Sequence, residues 1–427
     1  MGITRRGFMG GVGAAAGAGL GMGWGGSLEA ALASFEGASP EAVAADEDFW
    51  SVIQEAYTVD RGLINLNNGG VSPSPRIVQE AHVRYQAQSN EAPSYTMWRL
   101  LEPRKELVRQ KLGRLAGTDP EQIAITRNAT ESLDTVIFGL DLEPGDEIVS
   151  TTQDYPRMVN AWRQREQRDG VVFRQVTLPM PCEDSGPIVD AFREAITERT
   201  KVLHFCHVIN LTGAILPVRE IAALAEGRDI QVIVDGAHSF GHFEFDIPSL
   251  GGDYFGTSLH KWLCAPFGTG LLWMKKERIA PLWPLLAHTE AHSEDIRKFE
   301  QTGTYPVPIP LAIGEAVEFH ERIGSARKEA RLRYLRDYWV ERLRDLPGFR
   351  LHTSLDPERS CGIATFELEG IAPNDLNRKL LQDHKIVLTG IDHEDFRGTR
   401  VSPHVYTSPR ELDIFVDAVR RVAENGI

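Results

Sequence analysis

Cysteine is scarce in this sequence, with four residues among 427, which is too few for a fold held together by disulfides. Positive charge is also in the minority, because 46 lysines and arginines stand against 60 aspartates and glutamates, giving a net charge of −14. An acidic surface of this kind repels phosphate backbones, so we expect no nucleic-acid partner. The sequence also lacks a run of about 20 strongly apolar residues, so we expect no stable insertion into a membrane.

Two further absences narrow the fold class. No G-x-G-x-x-G or Walker sequence follows an early strand, which argues against an unrelated nucleotide-binding α/β enzyme, and no internal repeat is present. What is present is ordinary for a globular chain, because 42% of the residues are hydrophobic and 25% are charged. The length predicts two or three domains.

The amino terminus has the pattern of an export signal. Arg5-Arg6 is followed by a mildly hydrophobic stretch rich in glycine and alanine over 10–26, and Ala31-Leu32-Ala33 fits a cleavage site. The order of these parts predicts a twin-arginine signal peptide over 1–33, the twin-arginine export machinery as a partner, and a periplasmic protein. The alternative interpretation is a low-complexity tail.

The rest of the chain alternates between short apolar runs and amphipathic segments. We predict buried strands at 147–152, 201–208, 231–234 and 270–274, helices at 188–197 and 218–226, and one long charged helix over 312–346. This alternation indicates an α/β fold with a mostly parallel central sheet. The predicted units are an N-terminal arm over 34–60, a large domain over 61–305 and a smaller α+β domain over 306–427.

An aspartate stands at the end of one predicted strand, in Val232-Ile233-Val234-Asp235-Gly236-Ala237-His238. In open α/β sheets ligands bind beyond the carboxyl ends of the strands, so Asp235 is well placed for a cationic ligand atom. A lone aspartate in this position is as often a helix cap.

A lysine follows in Thr257-Ser258-Leu259-His260-Lys261-Trp262, just before the glycine-rich stretch 266–270. A lysine withdrawn from water has a lowered pKa and acts as an amine nucleophile. Taken alone, it is more simply read as a surface charge.

A helix start is predicted at Arg127-Asn128-Ala129-Thr130-Glu131, because Asn128 and Glu131 have the spacing of a capping box. The free N–H groups and the positive dipole end of such a helix suit a phosphate, although plain capping explains the motif equally well.

The three segments together meet the requirements of pyridoxal 5′-phosphate: an amine for the Schiff base, a carboxylate for the pyridine nitrogen and a helix start for the phosphate. On these motifs the chain from about residue 60 to 427 resembles the class V aminotransferase family of fold-type I pyridoxal-phosphate enzymes, and within it the isopenicillin N epimerase-like proteins. The resemblance implies the fold of a fold-type I PLP-dependent transferase, an amino-acid substrate and a homodimer with shared active sites.

The resemblance also assigns roles to individual residues. Lys261 is the residue that carries the cofactor, Asp235 pairs with the pyridinium nitrogen, and His238 lies near the ring oxygen or the phosphate. The wider set of implied contacts is Ala129, Thr130, Ser258 and His260 at the phosphate, Tyr155 stacked on the ring, Asn210 at the ring oxygen, Gly303 and Thr304 reaching the other subunit's phosphate, Arg400 on the substrate carboxylate, and Asn67 at the substrate mouth.

One departure from a branch of the family is informative. Cysteine desulfurases carry a nucleophilic cysteine on a loop shortly before the carboxylate-binding arginine, whereas 382–399 contains none here. We therefore expect no persulfide chemistry. We also predict no metal site, because the histidines lack a partnering Glu motif.

The expected activity is chemistry at the α-carbon of an amino acid or of a peptide that contains one, either epimerisation or transamination. A C–S or β-elimination lyase is an alternative, and an exported, non-catalytic protein that binds the cofactor is an alternative of another class. Epimerisation needs a second acid, and no residue identifies itself as one from the sequence.

Overall fold

The computed structural model describes residues 33, 35 and 37–427. The predicted signal peptide, apart from Ala33, lies outside the described residues. Within them, no helix is both long enough and apolar enough to cross a membrane.

The strands form three sheets. Their bounds are β1 (Ile64–Asn65), β2 (Ile123–Thr126), β3 (Glu147–Thr151), β4 (Val172–Val176), β5 (Thr200–Cys206), β6 (Gln231–Asp235), β7 (Tyr254–Ser258), β8 (Gly270–Met274), β9 (Phe349–Leu351), β10 (Ala364–Leu368), β11 (Ile386–Val387), β12 (Thr389–Asp392) and β13 (Arg397–Val401).

The helices flank these sheets. Their bounds are α1 (Pro40–Ala44), α2 (Glu47–Glu55), α3 (Arg76–Glu91), α4 (Lys105–Leu115), α5 (Ala129–Gly139), α6 (Pro156–Asp169), α7 (Ser185–Ala195), α8 (Val218–Ala223), α9 (Pro308–Leu311), α10 (Ile313–Ile323), α11 (Ser325–Leu343), α12 (Pro373–His384) and α13 (Pro409–Asn425). A π-helical segment spans Pro93–Leu101, and short 3-10 turns lie at Glu102–Arg104, Pro120–Gln122, Ile247–Leu250, Lys276–Arg278 and Ile296–Glu300.

The central sheet has seven strands in the order β2-β8-β7-β6-β5-β3-β4, and β8 runs in the direction opposite to the other six. Both faces of the sheet are covered. Val232 and Val234 on β6 enter one hydrophobic core, while Ile233 between them enters the other. Burial on both faces explains why these strands are continuous apolar runs. The predicted α/β fold with a mostly parallel sheet is confirmed.

A four-stranded antiparallel sheet, ordered β12-β13-β10-β9, lies in the C-terminal part of the chain. Helices α11, α12 and α13 contact one another or this sheet, and the apolar side chains between them form a separate core. The strand β1, from the range expected for the large domain, pairs in parallel with β11 instead. Its residue Ile64 is buried in that same C-terminal core.

The segment expected as a polar arm is helical and has an apolar face. Phe49, Trp50 and Ile53 on α2 are fully buried. Arg331 on α11 donates to the carbonyl of Ala44 and forms an ion pair with Glu47. The arm is therefore packed against the C-terminal part of the chain.

The prediction of one long helix over 312–346 is wrong. Two helices, α10 and α11, occupy this range, and the chain turns between them at Gly324, which has a φ of +90°. Glycine has access to this region of backbone space because it has no Cβ. Charge pattern alone does not reveal such a break, because both helices are charged and amphipathic.

Candidate active site

The residues singled out from the sequence meet at the carboxyl edge of the central sheet. Asp235 ends β6, Ser258 ends β7, and α5 begins at Ala129, shortly after β2 ends. Tyr155 follows β3 and caps α6. Parallel strands bring their carboxyl ends to one edge of a sheet, so segments distant in sequence are brought close together here.

Lys261 lies in the turn that follows β7, and its side chain is largely withdrawn from solvent. Its Nζ is 3.1 Å from Nε2 of His238. Burial lowers the pKa of Lys261 to about 8, and the nearby Arg400 adds to this effect, while the carboxylate of Asp235 opposes it. A neutral amine is therefore accessible near physiological pH.

Asp235 is buried, and its Oδ1 accepts a hydrogen bond of 2.9 Å from the N–H of Ala237. Burial raises the pKa of Asp235 to about 6, and that N–H and Lys261 partly oppose the rise. The intervening Gly236 permits this turn, because a Cβ there would lie 1.9 Å from a ring carbon of Phe255. The close packing of the Phe255 ring against Gly236 thus fixes the backbone next to the Asp235 carboxylate.

His238 is buried beside Lys261, and no hydrogen-bond partner for its Nδ1 is found among the described residues. Burial holds the pKa of His238 well below its usual range, and the cations Lys261 and Arg400 lower it further. The imidazole is therefore neutral at physiological pH, and its Nε2 is able to accept a hydrogen bond from the lysine.

The helix start predicted from the capping motif is present, with one difference. Asn128 caps α5 by accepting from the N–H of Glu131 at 2.8 Å. The Glu131 carboxylate accepts from the backbone and side chain of Arg127, so the capping box is not reciprocal. Ser258 Oγ accepts from the N–H of Ala129 at 2.9 Å, which leaves the N–H of Thr130 in the first turn without a helical acceptor.

His260 precedes Lys261 in the chain, but no described hydrogen bond connects its side chain to the lysine amine. Its Nδ1 is 3.1 Å from the carbonyl of Thr269, and burial lowers its pKa. The side chain is only partly buried.

Arg400, on β13, is buried and contacts the segments that follow β5 and β1. Its guanidinium donates to the carbonyl of Asn210 at 2.7 Å and to Oδ1 of Asn67 at 2.9 Å. Thr389 donates to the same Asn67 oxygen at 2.6 Å. Burial lowers the pKa of Arg400 to about 10, which still leaves it cationic at neutral pH. No carboxylate partner of Arg400 is found in the part of the chain that the structure describes, and a buried cation in this condition is suited to an anionic ligand.

Tyr155 faces the lysine across the site. Lys261 Nζ lies 6.0 Å from the centroid of the Tyr155 ring, and Tyr155 is 38% exposed. Asp154 immediately before it is pinned: one carboxylate oxygen accepts from Ser150 and Thr151, and the other accepts from the N–H of Cys206. The backbone that carries the tyrosine is therefore fixed.

Two of the predicted residues, Gly303 and Thr304, are exposed, and no described hydrogen bond or ring contact joins them to Lys261. The described residues contain no group of three or more His, Cys, Asp or Glu side chains that is able to hold a metal.

The stacked aromatic rings around Trp262, the residue that follows Lys261, were not predicted from the sequence. Trp262 stacks on His242, with ring centroids 3.7 Å apart and an angle of 7°, and on His404 at 5.5 Å. His242 also contacts the carbonyl of His238 through Nδ1 at 2.8 Å. These rings come from three separate segments of the chain, so no local sequence pattern predicts that they stack.

Comparison with known proteins defines the class. The family described as aminotransferase class-V matches residues 64–413. Isopenicillin N epimerase from Streptomyces clavuligerus is 30% identical over 387 residues, which cover 87% of this chain and 97% of that protein. The chain therefore belongs to the class V aminotransferase family.

Solved structures agree on the fold. The apo structure of a cysteine desulfurase from Thermococcus onnurineus NA1 superposes with a TM-score of 0.77 at 23% identity, covering 88% of this chain and 98% of that one. A mutant of C-DES with glycine covalently linked to its pyridoxal-phosphate cofactor superposes with a TM-score of 0.76 at 22% identity, covering 87% and 99%.

The cofactor of this protein is pyridoxal 5′-phosphate, and the residues of the site fit it. Three buried polar atoms at the site have no partner among the described residues: Nδ1 of His238, Oδ1 of Asn210 and Nε of Arg400. Buried polar groups in folded proteins are almost always paired, so such a convergence marks a ligand site. With the free N–H of Thr130 and the buried Asp235, the set supplies donors for a phosphate and an acceptor for a ring nitrogen.

Proposed function

We propose that the protein is a pyridoxal-phosphate enzyme that inverts the configuration at the α-carbon of an amino acid, or of a peptide that contains one. The observation that carries the proposal is that one site holds Lys261, Asp235 and the buried Arg400 together. The isopenicillin N epimerase named above, which matches nearly end to end, supports inversion over other α-carbon reactions.

Each residue has a proposed task. Lys261 would hold the cofactor covalently, and its amine would take the α-proton of the substrate. Asp235 holds the ring nitrogen protonated, and His238 keeps the lysine amine in position through the 3.1 Å contact. Ala129, Thr130, Ser258 and His260 bind the phosphate, Asn210 faces the ring oxygen, and Tyr155 covers the ring.

Arg400 orients the substrate by binding its carboxylate. Its planar guanidinium grips a carboxylate through two parallel hydrogen bonds, and Asn67 holds the guanidinium from behind. The bound cofactor contributes one thing that side chains cannot: it draws the electron pair of the broken α-C–H bond into its ring. Fixing the carboxylate fixes which face of the α-carbon Lys261 meets.

The cysteines argue against desulfurase chemistry. The hairpin formed by β12 and β13 carries none, and all four cysteines of the chain are buried. Burial raises the pKa of Cys182 and of Cys361 to about 12, and raises that of Cys206 and of Cys264 as well. A nucleophilic thiol needs the opposite environment, with a lowered pKa and access to substrate.

The proposed functional form is a homodimer with shared active sites. The segment Pro93–Leu101 exposes Tyr95, Trp98 and Leu100, and Phe267 is exposed next to the lysine turn. Exposed apolar side chains of this kind support the proposal that this surface is an interface. In the dimer, Gly303 and Thr304 reach the phosphate of the partner subunit. A particle mass of about one subunit in solution at working concentration would contradict this arrangement.

We propose in addition that the protein is exported to the periplasm by the twin-arginine route. Expression of the full chain in a bacterial host should give a periplasmic product that begins at Ser34. The double substitution R5K/R6K should leave the protein in the cytoplasm. Cytoplasmic protein with an intact amino terminus in the wild type would count against export.

The activity test incubates the holoenzyme in heavy water with pairs of L- and D-amino acids and with isopenicillin N. Inversion predicts deuterium at the α-carbon, seen by proton NMR, together with interconversion of configuration, seen by chiral chromatography. K261A should abolish both and remove the visible absorbance of the covalently bound cofactor. Keto acid formed only with an acceptor indicates transamination, sulfide or ammonia release indicates a lyase, and no exchange with any substrate indicates a non-catalytic protein.

A further inference from the structure

Inversion requires that one proton leaves the α-carbon on one face and another arrives on the opposite face. Lys261 serves only one of these faces. His238 lies on the lysine's own side, 3.1 Å from its Nζ. Asp154 is buried with both carboxylate oxygens occupied by hydrogen bonds from Ser150, Thr151 and Cys206, so it is not available to move a proton.

Tyr155 stands on the other side of the gap. Its ring centroid is 6.0 Å from Lys261 Nζ, so a planar group resting on this ring has the lysine at its far side. No hydrogen bond of the phenol is found among the described residues, and Tyr155 is 38% exposed. The phenol is therefore able to exchange its proton with water.

The tyrosine also has a cation within electrostatic range. Interaction with Tyr155 raises the pKa of Arg400 against the larger lowering effect of burial. Arg400 is the residue that holds the substrate carboxylate, so the phenol and the α-carbon share one neighbour.

We propose that the phenol of Tyr155 is the second acid–base group of this enzyme, acting on the face of the α-carbon opposite Lys261. The inference rests on the inversion proposed above. In one direction the Lys261 amine takes the α-proton and becomes an ammonium, while the Tyr155 phenol delivers its proton and becomes a phenolate. In the other direction the phenolate takes the α-proton and the ammonium returns one. Exchange with water resets both groups.

The test compares Y155F, which keeps the ring and removes the hydroxyl, with Y155A, which removes both. Pyridoxal phosphate titrated into cofactor-free protein should bind Y155F within about threefold of the wild-type Kd and Y155A more weakly, because stacking and not the phenol holds the ring. Y155F should still exchange the α-proton of one enantiomer in heavy water with retention. Its interconversion of configuration should fall by about 100-fold or more, the usual contribution of a general acid.

The control is Y338F, which removes an exposed hydrogen bond of a phenol to Asp413, between α11 and α13. It should leave binding, exchange and inversion unchanged. Inversion by Y155F at the wild-type rate overturns the inference while the proposed function stands. Equal loss of exchange from both enantiomers also overturns it, since that is the signature of a purely structural role. A wild-type enzyme that inverts no substrate overturns the proposed function, and the inference with it.

Discussion

Removing the ammonium of Lys261 should stabilise the cofactor-free protein, and the gain should depend on pH. The ordinary pKa of a lysine is 10.5, and in this site burial lowers it to about 8 after the attraction of Asp235 has been included. That difference, at about 1.4 kcal/mol for each pKa unit, corresponds to about 3 kcal/mol of destabilisation carried by the charged form.

The sign follows from which state binds the proton more tightly. The unfolded chain holds the lysine proton up to pH 10.5 and the folded chain only up to about 8, so the penalty is complete below pH 8. It shrinks as the pH rises between these values, and it is absent above pH 10.5. K261M should therefore raise the free energy of unfolding by about 3 kcal/mol at pH 7 and by much less at pH 10.5.

The measurement is denaturant unfolding of cofactor-free wild type and K261M at both pH values. K276M, which replaces a solvent-exposed lysine, is the matched control and should show no gain at either pH. A gain for K261M of the same size at pH 7 and pH 10.5 would refute the reasoning, because it would show that apolar packing and not charge burial is responsible.

Three further substitutions test other parts of the structure. D235N should leave the cofactor attached through Lys261 but lower kcat by about 100-fold or more, because a neutral amide does not hold the ring nitrogen protonated; wild-type kcat would remove Asp235 from the mechanism. R400K should lower kcat/KM by about 10- to 100-fold, mainly by raising KM, because an ammonium cannot form two parallel hydrogen bonds to a carboxylate. An unchanged KM would mean that the substrate carboxylate binds elsewhere. W50A should lower the free energy of unfolding by about 3–5 kcal/mol, because Trp50 is fully buried and donates to the carbonyl of Val43 at 2.8 Å. A loss below about 1 kcal/mol in thermal or denaturant unfolding would mean that the arm unfolds separately from the rest of the chain.

The site was predictable from the sequence where its chemistry lies at the ends of strands. The strand ending in Asp235 and the helix cap at Asn128 are local patterns, and the parallel sheet then brings them together. The strands predicted at 147–152, 201–208, 231–234 and 270–274 are confirmed to within two residues.

Arg400 and Tyr155 could be named only through the resemblance to a family, because nothing local distinguishes them from other arginines and tyrosines. The buried face of α2 was missed for a related reason, because it depends on which distant surface packs against the helix, and amphipathic periodicity does not specify the partner. The break at Gly324 is local, and the charge pattern of the two flanking helices does not reveal it.

The docking of the arm onto α11 has a consequence for biosynthesis. Arg331 and Ala44 are 287 positions apart, so the ribosome must add that many residues before the first described helices meet their partner. At about 5–20 residues per second this takes roughly 15–60 s, during which the tryptophan of the nascent arm stays uncovered. Sequestration of that ring is thus present only in a molecule whose synthesis has passed α11.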